Sequence, residues 1–237
     1  MIHNGKSKLP YDPIAAVEHL SNACPKLATL IERAGPLKLK IDSRVSIFES
    51  LLESILYQQL NGKAAATIHA RFRELYSGDP SPKALLSTPD ELLRGCGVSS
   101  NKTRAMKDLA ERTLDGTVQE YAALKKMSDE EIITRLSTVR GIGRWTVEML
   151  LIFRLGRADV FPVTDYGIRK GFALTYLRLH KTRAIEAADL PKPAIMEKRA
   201  KKWAPYRSVA SWYLWRACDL AKSTPPTGRS SRKCERD

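Results

Sequence analysis

No apolar run in the 237-residue sequence approaches the roughly 20 residues that span a bilayer, so no ordinary membrane helix is expected. The first residues, Met-Ile-His-Asn-Gly-Lys-Ser-Lys, lack the apolar stretch of a secretory signal. The chain therefore reads as intracellular, in the cytoplasm or nucleoid of a bacterium or the nucleus of a eukaryote. Cysteine is scarce: Cys24, Cys96, Cys218 and Cys234 lie far apart and form no C-x-x-C pair. That spacing gives no support for a zinc or iron–sulfur site, whose ligands cluster on short loops. In a reducing compartment the plain expectation is buried or incidental thiols. Alternating strand patterns are nearly absent, and neither an internal repeat nor a clear linker is visible. Acidic residues are too few to balance the basic ones.

What remains is helical and basic. Forty Lys and Arg face 26 Asp and Glu, a net +14 with a pI near 9.7. From Lys222 onward there are five basic and two acidic residues, so the tail supplies only +3 and the folded part carries +11. Such a surface favours a polyanion, nucleic acid or a membrane surface. Residues 13–33 carry Ile14, Val17, Leu20, Ala23, Leu27 and Leu30 near the 3.6 repeat and read as one helix. Residues 45–58 read as a mostly buried helix, followed by a loop at Gln58–Gly62 and a helix from Lys63 to about Tyr76. Helical pieces are expected over 82–94, 102–113, 116–124 and 128–136, with turn residues between them at Gly78-Asp79-Pro80, Ser87-Thr88-Pro89-Asp90 and Asp115-Gly116. An apolar helix to about Leu155, a loop over 156–164 and a helix at 165–177 follow. Two charged connecting stretches lead to a last helix at about 205–221. The tail beyond has nothing to bury and is expected to be disordered. The fold class is all-α.

The sharpest local motif is Val139-Arg-Gly-Ile-Gly-Arg-Trp-Thr146, between a helix ending near Leu136 and one starting near Arg144. Gly141 and Gly143 permit positive φ and let a phosphate approach with no Cβ in the way. The second helix opens there, so its unpaired amides and positive dipole end face that phosphate. Arg140 and Arg144 add charge. Such a hairpin grips backbone and reads no sequence. The plainer alternative is a glycine turn between two packed helices.

Twenty residues beyond Trp145 stands Asp165, in Phe161-Pro-Val-Thr-Asp-Tyr-Gly-Ile-Arg-Lys170. Pro162 stiffens the approach, and Thr164 or Asp165 falls at a helix N-terminus, where an ionised carboxylate is favoured. Asp165 serves as a plain helix cap, or Thr164 caps and leaves Asp165 for chemistry.

With the hairpin and carboxylate in view, Leu136–Thr146 followed by Asp165 resembles the helix-hairpin-helix plus Gly/Pro-Asp motif of base-excision DNA glycosylases. Three further segments resemble the 3-methyladenine DNA glycosylase II family: Ile55-Leu-Tyr-Gln-Gln-Leu-Asn-Gly62, Gly97-Val-Ser-Ser-Asn-Lys-Thr-Arg-Ala-Met-Lys-Asp-Leu-Ala110, and Trp203-Ala-Pro-Tyr-Arg-Ser-Val-Ala-Ser-Trp-Tyr-Leu-Trp215. The resemblance covers roughly residues 40–220. It implies a two-lobed helical bundle with the active site in a cleft between lobes. Residues 1–40 and 178–222 would form one lobe, and 41–177 the central lobe with the hairpin at 136–147. It implies that Asp165 is catalytic and that the substrate is double-stranded DNA carrying alkylated purines.

The family mechanism rotates the damaged nucleotide out of the stack. Relatives that also cut the strand place a Schiff-base lysine two positions after the hairpin's last glycine, where this sequence has Trp145. The resemblance therefore implies a monofunctional enzyme without lyase activity. Alkylation at purine N3 or N7 makes the base cationic, and aromatic faces attract a cation. Trp145, Tyr166, Trp215 and Tyr206 are the pocket candidates; of the close-set Trp212, Tyr213 and Trp215, only Trp215 is expected outside the core. The loop Gln58-Gln59-Leu60-Asn61 matches the family's wedge, with Gln59 or Leu60 as the wedge itself. Arg140, Gly141, Gly143, Arg144 and Thr146 are the expected hairpin contacts to DNA. No cofactor is expected beyond a monovalent cation that some relatives hold on hairpin carbonyls, here around Ser137–Ile142. No membrane partner is expected, and the chain is expected to be a monomer. Two alternatives stay open: a same-fold glycosylase for deaminated or oxidised bases, and a non-catalytic helix-hairpin-helix DNA-binding protein.

Overall fold

The computed structural model describes residues 8–42, 45–177 and 186–223, and apart from a single bridged residue, Ile41, every regular element among them is helical. In chain order these are α1 (Pro13–Ala23), α2 (Pro25–Ala34), α3 (Ile47–Tyr57), α4 (Gly62–Glu74), α5 (Pro82–Ser87), α6 (Asp90–Gly95) and α7 (Ser100–Leu114). Then come α8 (Tyr121–Leu124), α9 (Asp129–Leu136), α10 (Arg144–Leu150), α11 (Tyr166–Tyr176), α12 (Pro193–Ala200) and α13 (Arg207–Ser223). Helix α10 runs on as a π-helical turn over Leu151–Leu155. None of these helices is long and apolar enough to cross a membrane. The expected disordered tail lies outside the described residues.

The chain divides into two compact units. One takes the residues up to Pro10 and Lys40–Val160; the other takes Tyr11–Leu39 and the chain from Phe161 on. The expected central lobe, 41–177, therefore ends earlier, and α11 belongs with the terminal helices. The reason is local: a Cβ on Gly171 of α11 would stand 1.9 Å from the Leu214 carbonyl oxygen of α13, so only glycine lets the two backbones meet.

In the first unit, α3 begins with a capping box. Ser46 Oγ accepts from the Glu49 N–H, and the Glu49 carboxylate accepts from the Ser46 N–H. Ile47, Leu51, Ile55 and Leu56 are wholly buried along one helical stripe. Fully burying each such side chain contributes about 1.5–3 kcal/mol, far more than capping, so the stripe decides which way α3 faces. Helix α7, in which Met106, Leu109 and Ala110 are buried, packs against α3. A second capping box, Ser128 with Glu131, starts α9 and aims it into the hairpin.

In the second unit, the helix expected over 13–33 is two helices. Pro25 cannot donate to the helical ladder and pushes Cys24 into extended backbone, φ −157° and ψ 110°. The same rule breaks the 82–94 piece at Thr88-Pro89. The connecting stretch expected before α13 contains helix α12, whose buried residues are only Met196 and Ala200. Trp203, wholly buried, gathers Phe161, Phe172 and Tyr176 at ring distances of 5.5, 6.3 and 6.0 Å and holds α11 in place.

Candidate active site

The hairpin joins α9 to α10, with Val139 and Ile142 buried and Arg140, Gly141, Gly143 and Arg144 at the surface. Gly141 has φ +79°, and a Cβ there would sit 3.3 Å from Ala105 Cβ. Gly143 needs no left-handed backbone, contrary to expectation: it is the N-cap of α10 at φ −100° and ψ 170°. A Cβ on it would meet nothing within 4 Å. Its contribution is open space outside the protein.

Beside it acids hold the Arg144 side chain and the Arg140 backbone amide. The Arg144 guanidinium makes a two-pronged pair with Glu130, at 2.9 and 2.7 Å, which keeps the Glu130 carboxyl below its ordinary range. Asp108 accepts from the Arg140 N–H at 2.6 Å and pairs with Arg112 at 3.0 Å. Thr146, expected on the DNA surface, is buried instead, because it faces inward on α10.

The loop 58–61 is fastened to this hairpin. Gln58 Nε2 donates to the Gly141 carbonyl at 2.8 Å. Lys102 Nζ donates to the Leu56 carbonyl at 2.7 Å, closing the end of α3, and burial lowers its pKa. Gln59 holds φ +56°, a rare conformation for a residue with a side chain, and Leu60 beside it is exposed. Asn61 caps α4 by accepting from the Ala64 N–H at 2.9 Å.

Beneath the loop lies a cavity of about 600 Å³ lined by Tyr57, Gln58, Gln59, Trp145, Met149 and Phe153, among others. Trp145 is 47% exposed. Met149, Phe153 and Tyr57 went unnoticed in the sequence. Trp145, Met149 and Phe153 recur at intervals of four along α10 and its π turn, and that spacing was the available signal.

In the second unit, Asp165 is the cap of α11, and Thr164 is exposed. Asp165 Oδ1 accepts from the Ile168 N–H at 2.7 Å and from the Trp215 indole N–H at 2.9 Å. Capping and orientation are thus done by one oxygen, at the helix end whose dipole favours a negative charge. Trp212 and Tyr213 are core, at 8% and 0% exposure, while Trp215 is half-buried against the carboxylate. Tyr166 is exposed, with Lys170 Nζ 6.0 Å from its ring centre. Tyr206 turns its ring onto Tyr11 and His19, at 6.0 and 5.5 Å, and so packs with α1. Gly167, not singled out in the sequence, lies against both Trp215 and Asp165.

A glycine hairpin opening a helix, fastened to an exposed loop above an aromatic cavity, is an arrangement suited to a nucleic-acid backbone. A carboxylate oriented by two donors adds the means for chemistry. Residues 52–205 match the HhH-GPD superfamily base excision DNA repair protein family. The chain belongs to that family. It is 39% identical over 181 residues to DNA-3-methyladenine glycosylase 1 of Schizosaccharomyces pombe, covering 76% of this chain and 75% of that one. A solved 3-methyladenine DNA glycosylase of the same yeast, in complex with abasic DNA, is similar at 35% identity and a TM-score of 0.71. That match covers 89% of this chain and all of the other. A DNA-3-methyladenine glycosidase from Bacillus halodurans matches at 32% identity and a TM-score of 0.76, covering 88% and 91%.

Proposed function

We propose that this protein is a monofunctional DNA glycosylase that releases alkylated purines, 3-methyladenine and 7-methylguanine, from duplex DNA and leaves an abasic site. The observation that carries this reading is the Asp165 carboxylate, oriented by the Ile168 amide and the Trp215 indole. The hairpin holds the phosphates, the 58–61 loop fills the gap left by the flipped nucleotide, and Trp145 stacks on the base. Rotation into a pocket is required because the glycosidic bond is out of reach inside the duplex. As the bond to the base lengthens, positive charge develops on the sugar. Asp165 stabilises that charge and orients water, whose oxygen bonds to the sugar carbon as a proton departs. The electrons of the broken bond go to the base, which was cationic and leaves neutral.

The reaction is hydrolytic because Trp145 stands where strand-cutting relatives place the amine nucleophile. It uses no cofactor; a monovalent cation on the carbonyls around Ser137–Ile142 would serve the phosphate grip alone. The names of the similar glycosylases support the choice of lesion. The test is release of 3-methyladenine and 7-methylguanine from methylated duplex, with borohydride added in parallel. Base release with no trapped covalent complex is expected. A trapped complex would overturn hydrolysis, and release only of deaminated or oxidised bases would move the assignment to another lesion.

A further inference from the structure

Trp215 and Asp165 meet over residue 167, which has no side chain. Gly167 is the second residue of α11, and its φ lies outside the left-handed region. No backbone requirement calls for glycine there. On helix propensity alone alanine would be better, by up to about 1 kcal/mol. The space decides otherwise. A Cβ on Gly167 would stand 2.8 Å from Trp215 Cδ1, 3.1 Å from Trp215 Nε1 and 3.1 Å from Asp165 Oδ1. The indole is a rigid, half-buried plate on α13 whose N–H is already engaged with the carboxylate, so retreat of the ring would lengthen that hydrogen bond. Asp165 Oδ1 is already fixed by the Ile168 amide at 2.7 Å.

We infer that Gly167 is a positioning residue for catalysis, acting through Trp215 to set the orientation of the Asp165 carboxylate. The inference rests on the proposed role of Asp165. One turn later, Gly171 lets the α11 and α13 backbones touch, and Gly167 exploits that approach to bring the indole N–H onto the carboxylate oxygen. Its work is done on two side chains and not on the helix crossing. A shift of about an ångström in a catalytic group costs on the order of a hundredfold in rate, so the methyl group of alanine is enough to be felt.

The experiment compares wild type, Gly167→Ala, Trp215→Phe, the double variant and Asp165→Asn as full-length chains. Single-turnover excision of 3-methyladenine, binding to a duplex carrying an abasic site, and the four tryptophan indole N–H resonances by NMR are read for each. Gly167→Ala is expected to slow excision by about ten- to a hundredfold, leave binding within about twofold, and move the Trp215 indole signal alone. Phenylalanine at 215 removes the donor and part of the bulk, so adding Gly167→Ala to Trp215→Phe should cost less than about threefold more. Wild-type excision by Gly167→Ala overturns the inference, as does a double variant whose losses multiply. Movement of all four indole signals with parallel loss of binding would make Gly167 merely structural. Asp165→Asn separates the two levels: activity retained there sinks the role of Asp165 itself, whereas an inactive Asp165→Asn beside a fully active Gly167→Ala sinks only the role of Gly167.

Discussion

Gly143 in the hairpin and Gly167 behind Asp165 are the same residue type put to opposite uses. Around Gly143 a side chain would find empty space, so the missing Cβ admits a group that comes from outside the protein. Around Gly167 and Gly171 a side chain would collide with the chain's own atoms, and the missing Cβ admits part of the protein itself. On the proposed function, one kind of glycine serves binding and the other orders the Asp165 carboxylate. A substitution should therefore separate affinity from rate, and both from stability.

The largest expected effect is at Gly171. Alanine there would place Cβ 1.9 Å from the Leu214 carbonyl oxygen, so the helices must part. Overpacking of this kind costs about 1–3 kcal/mol, or a fall of several degrees in Tm for a chain of this size, measured by thermal denaturation. An unchanged Tm would mean α11 and α13 are less closely engaged than described. Next is Gly143→Asp. It has room to fit, but it sets an anion where a phosphate is expected. DNA affinity should fall about tenfold, near 1.4 kcal/mol, with Tm within about two degrees. Equal loss of Tm and affinity would erase the distinction between the two glycines.

A smaller effect is expected from Glu130→Gln, which removes the exposed partner of Arg144 and leaves it the Glu148 carboxylate 3.9 Å away. Such a pair contributes little to stability. DNA binding should tighten a few-fold at low salt, with the gain fading as salt rises. Weaker binding by this variant would mean the pair positions Arg144 for DNA.

The smallest is a pH effect in the second unit. Burial pushes the Tyr11 phenol up to about 12 from its ordinary 10. The folded state thus holds the proton more tightly than the unfolded state. The stability this provides is complete below about pH 10 and lost as pH rises towards about 12. Urea midpoints at stepped alkaline pH, in wild type and Tyr11→Phe, would show the difference as a shallower decline in the variant.

How much of this was legible depends on the distance over which each feature is decided. Helix α3, the hairpin and the α10 start follow from local pattern: an apolar stripe, Ser46 three residues before Glu49, and two glycines before Arg144-Trp145. The break at Pro25 was written just as locally, but the apolar spacing through 13–33 continues across it and masks it. Helix α12 was hidden for the opposite reason, since only two of its residues are buried and its charges obscure the period. The capping of α11 could not be settled between Thr164 and Asp165 from residue type, because both accept from amides. What no local pattern carries is the pairing of Trp215 with Asp165, fifty residues apart, or of Gln58 with the Gly141 carbonyl. These depend on how helices cross, and Gly167 has no meaning until Trp215 is beside it.

The central claim is that Asp165 performs the chemistry and does not merely cap α11. Asparagine caps helices nearly as well as aspartate, so Asp165→Asn removes the charge while leaving the fold. The measurement is release of 3-methyladenine and 7-methylguanine from methylated duplex by wild type and Asp165→Asn, with circular dichroism confirming equal helicity. Loss of one electrostatic group from such a site costs about 2.7–4 kcal/mol in barrier. A fall of about a hundred- to a thousandfold in release with unchanged helicity is therefore predicted. Release at the wild-type rate by folded Asp165→Asn would contradict the account and leave Asp165 a helix cap alone.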